Sequence, residues 1–325
     1  MKKTVDAAAA KRKVLDYCLR KGALCAGIAD LDAINRVAPA GHRPADLMPK
    51  VKSVISIGVG GNTRGAWGVS AKALTFFGST EARAYKIAYG LAFYIEHTFG
   101  IPAVYCPPDM DSEAGARVPF QSLKLHAELA GLGARSLAGD ILLHPQFGYM
   151  YFASAFTELS LAPDEPLKEN PCPAPSCVAM YREVGKTPCM KFCPVQCLSG
   201  KLDEDGRQAE MYYDMAACAE MSQQFEAMPK VLAEAMHQHD PQDLDDMLAL
   251  ESKLLFYKLS TGSHAMFGQC FECMRVCPIA TKAPLADPIL RSEAARAPKP
   301  ASAATQPEWR VRRAWPSRNT ASLRT

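Results

Sequence analysis

The sequence predicts an α+β protein with two domains and a C-terminal tail. Helical and strand patterns mix without regular alternation in the N-terminal half, and nine of the twelve cysteines fall between Cys172 and Cys277. A chain of 325 residues, 48% of them hydrophobic, can bury a sizeable core. We predict a mixed α/β domain over residues 1–166, a cysteine-rich domain with a helical insertion over 167–288, and a tail over 289–325.

The elements of the N-terminal half follow one another irregularly. Residues 5–21 form a helical pattern that Gly22 can close as a C-terminal cap. Residues 51–59 alternate in polarity and are rich in β-branched residues, which predicts a buried strand. We further expect helices from residue 79 or 80 to 99 and over 119–131, and strands over 26–29 and 147–156. This order indicates mixed layers instead of a doubly wound sheet, because strands and helices do not alternate one to one.

The net charge of +3 is distributed unevenly along the chain. Residues 291–325 hold eight basic and two acidic side chains among many Ala, Pro and Ser residues, which predicts a disordered basic tail. Such a tail can touch nucleic acid, but no folded nucleic-acid motif accompanies it, so we favour a solvated tail. No apolar run has the length of a membrane helix, and residues 1–13 lack a secretion signal. We therefore expect a soluble, cytoplasmic protein without a membrane partner.

The second half of the chain contains two Cys-x3-Cys-Pro motifs, at residues 189–194 and 273–278. In a chain without an export signal, this density favours metal binding over disulfides. Soft thiolates stabilise iron in both oxidation states, and each four-iron, four-sulfur cluster takes four of them. In bacterial two-cluster ferredoxins the cysteine before the proline ligates the other cluster. The same rule here predicts two 4Fe-4S clusters with these ligands: Cys172, Cys177, Cys189 and Cys277 for the first, and Cys193, Cys218, Cys270 and Cys273 for the second.

The first of these ligand sets has irregular spacing. Four residues separate Cys172 from Cys177 and eleven separate Cys177 from Cys189, so Cys197 can replace one of the ligands. Zinc is the weaker alternative, because it normally takes four ligands from two Cys-x2-Cys knuckles. Three residues separate Cys189 from Cys193, and three separate Cys193 from Cys197. The motif of radical S-adenosylmethionine enzymes has gaps of three and two residues instead. The isolated cysteines are expected to be buried apolar residues: Cys18, Cys25 and Cys106.

A further set of segments matches a known family pattern. The most specific is Ala-Gly-Leu-Gly at residues 130–133, and Cys218 occupies the place of a lone cysteine between two cysteine groups. The other matching segments are 27–30, 48–58, 141–143, 145–148, 156–159 and 163–166. Over roughly residues 14–278, the chain thus resembles the cobalamin and iron-sulfur enzymes that include epoxyqueuosine reductase and the catalytic subunits of reductive dehalogenases.

The resemblance implies an architecture and a chemistry. It implies that the α/β domain packs on a two-cluster ferredoxin-like domain, with a corrinoid held between them whose cobalt receives electrons from the nearer cluster. It assigns Gly131, Leu132 and Gly133 to contacts with that cofactor. The expected electron donor is a ferredoxin or flavodoxin, and the expected substrate is a small molecule or a modified nucleoside.

The sequence departs from the family where the proton donor should lie. Epoxyqueuosine reductases carry an acid in an Asp-x-x-Pro segment, but residues 115–120 here read Gly-Ala-Arg-Val-Pro-Phe. A general acid must lie within hydrogen-bond reach of the reacting group, so we consider four replacements: Asp109, Asp111, Lys124 and His126. A structural role is the simpler interpretation of His126, as a half-exposed helix residue near Lys124 and Glu128. No Asp-x-His-x-x-Gly motif marks a lower ligand for cobalt.

These observations predict an iron-sulfur oxidoreductase that passes electrons through two 4Fe-4S clusters to a reductive reaction, at a corrinoid if one binds. The main alternative is an electron-transfer or assembly protein that binds the clusters without cobalamin. A third interpretation is a tRNA-processing enzyme that uses its basic tail to hold RNA.

Overall fold

The computed structural model describes residues 6–68, 81–106, 120–139, 141–223 and 270–282. Helices and antiparallel strands are mixed throughout, which confirms the α+β class. The elements of the N-terminal half are α1 (Ala7–Arg20), β1 (Cys25–Ala29), α2 (Leu31–Val37), α3 (Pro44–Leu47), β2 (Ser53–Gly60), α4 (Arg64–Trp67), α5 (Glu81–Phe99), β3 (Ala103–Cys106), α6 (Leu123–Leu129), β4 (Ala134–Arg135), β5 (Leu142–His144) and β6 (Gly148–Thr157).

A six-stranded sheet forms the centre of this half. β6 pairs with β2 along its length, from Ser53 opposite Thr157 to Gly60 opposite Met150. β3 and β5 share the other edge of β6, while β1 pairs with β2 and β4 with β5. Every pairing is antiparallel, so the sheet is not doubly wound, as the irregular order of elements predicted.

β2 is buried on both faces, because all of its residues except Gly60 are buried. Because successive side chains point to opposite faces, Ile55, Ile57 and Val59 join a core cluster with α1 and α5. Val54 faces the other way and packs in a second cluster with residues of α2 and α6. The strand predicted over 51–59 is therefore present, shifted by one or two residues at its ends.

Local capping sets most helix boundaries of this half. Asp6 accepts hydrogen bonds from the N–H groups of Ala8 and Ala9 and begins α1. The helix expected over 119–131 is shorter, because the Ser122 side chain accepts from the Leu125 N–H and begins α6 there. The strand expected over 147–156 lies one residue further along the chain.

The cysteine-rich half is built from short elements: α7 (Pro175–Val184), α8 (Pro188–Phe192), β7 (Leu198–Leu202), β8 (Gln208–Tyr213), α9 (Met215–Gln223), α10 (Glu272–Arg275) and a 3-10 turn (Ala280–Lys282). β7 and β8 form a two-stranded antiparallel sheet. The predicted helical insertion and the basic tail lie outside the described residues. Among the helices that the structure describes, none has the length and hydrophobicity needed to cross a bilayer.

The last cysteine segment packs directly on the sheet of the N-terminal half. Trp67 and Tyr149 each meet the Phe271 ring edge-on, at centroid distances of 6.0 and 6.2 Å. Gly148 begins β6 with a φ of +67°, and a Cβ atom there would lie 2.6 Å from the carbonyl oxygen of Ile279. Only glycine accommodates both the backbone angle and this close approach. The packing brings Cys277 into the same core cluster as the sheet.

Candidate metal centre

The four cysteines predicted for the first cluster line one small cavity. Its wall consists of Cys172, Cys177, Cys189 and Cys277 together with Ser136, Leu137, Ala138, Pro173, Thr187, Pro188 and Ile279. Three of the four cysteines are buried. The cavity thus combines thiols from three separate segments of the cysteine-rich half with a loop of the N-terminal half.

Short helices and turns place two of these thiols. Pro175 and Pro188 stand at the starts of α7 and α8, where proline fits because the first helical N–H groups have no partner within the helix. Cys177 lies in the first turn of α7 and Cys189 in the first turn of α8. Both side chains therefore project from helix starts, where oriented N–H groups favour negative charge.

Hydrogen-bond donors surround the sulfurs of the first group. The Leu137 N–H donates to Cys172 Sγ at 3.5 Å, and the Ala280 N–H donates to Cys277 Sγ at 3.4 Å. The Thr187 hydroxyl lies 3.2 Å from Cys189 Sγ. Donors of this kind stabilise thiolates and tune iron-sulfur clusters.

Burial makes the thiolate form of this group costly without a cation. Desolvation raises the pKa of Cys172 to about 12 and that of Cys189 to about 11, and neighbouring cysteine charges add to both shifts. The Cys177 pKa is also raised, first by burial and then by the charge of Cys277. A bound metal supplies positive charge and lowers the cost of deprotonation, so the donor set fits a metal cluster.

A fifth thiol lies beside the four cysteines predicted for the second cluster. The Cys270 pKa is raised by burial and by the charges of Cys218 and Cys193, and Cys273 responds to the same neighbours. Cys197 is the additional member, since its Sγ lies 3.3 Å from Cys193 Sγ. The sequence also allowed Cys197 to replace one ligand of the first cluster, but Cys197 does not line the first cavity.

The two cysteine groups are neighbours. Cys189 of the first group raises the pKa of Cys273 in the second, although burial is the larger cause. Within the described ranges, no three His, Cys, Asp or Glu side chains converge closely enough to hold one ion. The described residues include all twelve cysteines, and no disulfide joins any of them.

The isolated cysteines lie in the N-terminal half, where the sequence predicted apolar packing. Cys18 and Cys106 are fully buried, and Cys25 Sγ packs 3.8 Å from Met150 Sδ. Burial raises the pKa of each of these thiols to about 12. They therefore remain neutral at physiological pH and behave as small apolar side chains.

His126 is fully buried, so the expectation of a half-exposed helix residue is wrong. Its Nδ1 lies 3.1 Å from Ser154 Oγ, and its ring meets Phe156 edge-on. Burial lowers the His126 pKa to about 3, so the imidazole is neutral at physiological pH and a poor proton donor. Lys124 is exposed on α6, and Asp109 and Asp111 lie outside the described residues.

The Ala-Gly-Leu-Gly segment has a packing explanation. Gly131 has a φ of +73°, and a Cβ atom there would lie 2.5 Å from the Glu165 carbonyl oxygen. A Cβ atom on Gly133 would lie 3.2 Å from the Leu142 side chain, and Leu132 is buried. Contact of these residues with a cofactor stays a prediction.

Two polar side chains beside these sites were not singled out from the sequence. Asp164 accepts hydrogen bonds from the Ile28 N–H and Lys11 Nζ, which fixes its segment against β1. Asn170 accepts from the Cys172 N–H and donates to the Arg135 carbonyl, so it holds the first cysteine against the N-terminal half. The sequence feature that could have indicated the role of Asn170 is its position two residues before a cysteine, which is typical of an Asx turn.

Comparison with known proteins gives structural but not sequence matches. No family model and no curated protein matches the chain. An epoxyqueuosine reductase structure from Bacillus subtilis matches with a TM-score of 0.50 and 14% identity, covering 87% of this chain and 70% of that one. An epoxyqueuosine reductase with a modified tRNA stem loop matches at 0.49, with 15% identity and the same coverage. A reductive dehalogenase matches at 0.38, with 19% identity over 62% of this chain and 29% of that one. The resemblance predicted from the sequence is thus confirmed as a divergent one, and the chain has the fold of the epoxyqueuosine reductases.

Proposed function

We propose that the chain is an iron-sulfur oxidoreductase that passes electrons through two 4Fe-4S clusters to a reductive reaction. The observation that carries the proposal is the buried cavity lined by Cys172, Cys177, Cys189 and Cys277. Four thiolates in one desolvated space repel one another, whereas a positively charged cluster core stabilises all four. When bound, such clusters supply single electrons at low potential.

Hydrogen-bond donors of the chain would stabilise the negative charge on the cysteine ligands of the first group. The N–H groups of Leu137 and Ala280 and the hydroxyl of Thr187 each face one of its sulfurs. Hydrogen bonds to ligand sulfurs stabilise the reduced, more negative state and raise the reduction potential. Leu137 belongs to the N-terminal half, so that half would tune the cluster it contacts.

The positions of the two groups support an order of electron flow. The second group has three half-buried cysteines and lies nearer to solvent, whereas the first is enclosed between the two halves. We assign the second group to receive electrons from a ferredoxin or flavodoxin. The first would pass them to a small-molecule or modified-nucleoside substrate in the N-terminal half.

A corrinoid is the less supported part of the proposal. The residues that the family resemblance assigns to it, Gly131, Leu132 and Gly133, are explained by packing against Glu165 and Leu142. We therefore assign no step to cobalt. The same observation, together with the missing Asp-x-x-Pro acid, favours the alternative of an electron-transfer or assembly protein that binds clusters without cobalamin.

Electron paramagnetic resonance of the anaerobically purified, dithionite-reduced protein tests the proposal. Two clusters as close as these groups should give interacting paramagnetic signals in the wild-type protein. A single signal in Cys189→Ser, with wild-type signals in Cys18→Ser as the control, would support the ligand assignment. A wild-type protein without a reducible cluster signal would contradict it. Retention of added cobalamin separates the reductase from the carrier alternative.

A further inference from the structure

An exposed apolar surface covers Cys193 of the second group. Cys193 is only 6% exposed, but its neighbours Phe192 and Val195 are 53% and 38% exposed. Pro194 between them is also exposed. Soluble proteins seldom leave large apolar side chains together at the surface without a binding role. We call Lys186, Lys191, Phe192, Pro194 and Val195 the Cys193 patch.

The charges of the Cys193 patch have one sign. Lys186 and Lys191 are the charged residues of the 186–196 segment, and both are exposed. Lys191 Nζ lies 6.0 Å from the centroid of the Phe192 ring, so positive charge and apolar surface adjoin. The patch therefore complements a partner that presents acidic groups around an apolar centre.

Hydrogen bonds fix the turn that carries the patch. Gln196 has a φ of +52°, and its side-chain amide donates to the Cys193 carbonyl at 3.0 Å. Lys186 Nζ donates to the Gln196 side-chain oxygen at 3.0 Å. A surface ordered before binding loses less conformational entropy when a partner docks.

We propose that the Cys193 patch is the docking surface for a small acidic one-electron donor protein. The proposal rests on the proposed function, because it takes Cys193 as a ligand of the second cluster. In the transfer, the donor is oxidised by one electron and the cluster is reduced by one, and no covalent bond changes. Electron-transfer complexes are typically small and weak, so a patch of this size with one aromatic anchor suffices. The two lysines steer the donor to the position where Cys193 lies just beneath the surface.

A second exposed aromatic pair supplies a matched control. Tyr89 and Phe93 on α5 are 52% and 59% exposed and lie 4.9 Å apart. Lys86 is exposed one turn away. Within the described part of the chain, neither Tyr89 nor Phe93 belongs to a core cluster that contains a cysteine of either group. The pair Lys86→Glu and Phe93→Ser therefore repeats the chemistry of Lys191→Glu and Phe192→Ser at a site without the proposed role.

The test is stopped-flow reduction of the cluster-loaded full chain by reduced flavodoxin and, separately, by dithionite. The Lys191→Glu, Phe192→Ser variant should be reduced by flavodoxin about tenfold more slowly at low salt and lose the salt dependence of the rate. Dithionite, a small reductant that needs no docking, should reduce it at the wild-type rate. Lys86→Glu, Phe93→Ser should match wild type with both reductants.

Three outcomes would overturn the proposal. One is an unchanged flavodoxin rate in the patch variant, and another is an equal loss in the α5 control. If the double variant loses iron, the single variant Lys191→Glu decides the test, because Lys191 is exposed. Reduction of that single variant by flavodoxin at the wild-type rate would be the third outcome that contradicts docking at the Cys193 patch. A wild-type chain that holds no iron would instead end the proposed function itself, and the iron content separates these failures.

Discussion

The two cysteine groups differ in what surrounds them. The first is enclosed between the two halves of the chain, with three buried cysteines and hydrogen-bond donors facing three of its sulfurs. The second has three half-buried cysteines, a fifth thiol and an exposed apolar surface over Cys193. The difference is consistent with the proposed division of work, in which the second group would exchange electrons with a partner and the first would deliver them inside the protein.

The largest expected effect comes from removing one ligand of each group. Cys189→Ser and Cys193→Ser should each retain about four irons, because each loses one of two four-iron clusters. Reduced flavodoxin should still reduce the cluster left in Cys189→Ser. In Cys193→Ser, only dithionite should reduce the remaining cluster rapidly. Iron analysis and stopped-flow absorbance measure both effects, and rapid flavodoxin reduction of Cys193→Ser would reverse the proposed order.

Gly148→Ala should strain the contact that holds the Cys277 segment on the sheet. The free energy of unfolding should fall by about 3 kcal/mol, because the φ is positive and the new Cβ meets the carbonyl oxygens of Ile279 and Ala280. Gly185→Ala is the control, since Gly185 has a φ of +71° but open space at its Cβ position. Chemical denaturation should show a loss of only about 1 kcal/mol there. Equal losses would mean that the segment does not dock as described.

The two cysteine groups should also differ in the rate at which they lose iron, because they differ in exposure to solvent. Cys193→Ser protein, which keeps only the first cluster, should release iron to a chelator several-fold more slowly than Cys189→Ser protein. The physical reason is that three of the four first-group cysteines are buried, against one of four in the second. Absorbance of the iron-chelator complex follows the release. Equal rates would remove the distinction between an enclosed and an accessible cluster.

A smaller effect should follow from Thr187→Val. This change removes the hydroxyl 3.2 Å from Cys189 Sγ but no helix cap, because Thr187 makes no capping hydrogen bond. The reduction potential of the first cluster should fall by on the order of 50 mV for a one-electron couple. Thr187→Ser keeps the hydroxyl and should keep the potential. A shift in the second cluster instead would contradict the assignment of Cys189.

The smallest expected effect is that of Cys197→Ser. Cys197 lies beside Cys193 and interacts with Cys218, but it does not belong to the ligand set predicted from the sequence. We therefore expect the variant to keep its full iron content by colorimetric analysis. A loss of about four irons would make Cys197 a ligand and would require a different second set.

The cysteine groups show how much of the site could be predicted. The ferredoxin rule, which assigns the cysteine before proline to the other cluster, predicted Cys277 with Cys172, Cys177 and Cys189, and these four line one cavity; their role as ligands stays a prediction. The strands β2 and β6 could be predicted as well, because β2 is rich in β-branched residues and β6 in aromatic residues. The position of Cys197 beside the second group could not be predicted from the sequence, because it depends on the positive φ of Gln196.

His126 shows why the remainder could not be predicted. Lys124 and Glu128 flank it in sequence and suggested partial exposure, yet His126 faces the sheet and pairs with Ser154, 28 residues away. Local charge reports only the composition of a helix, whereas burial depends on which face meets the sheet. The packing of Gly148 against Ile279 is similarly a contact between distant segments that spacing does not report.

The iron and acid-labile sulfide content of the anaerobically purified wild-type chain tests the central claim most directly. The account predicts about eight irons and about eight sulfides per chain, which is the content of two 4Fe-4S clusters. A protein that binds zinc without sulfide, or that holds neither iron nor sulfide after reconstitution, would contradict it.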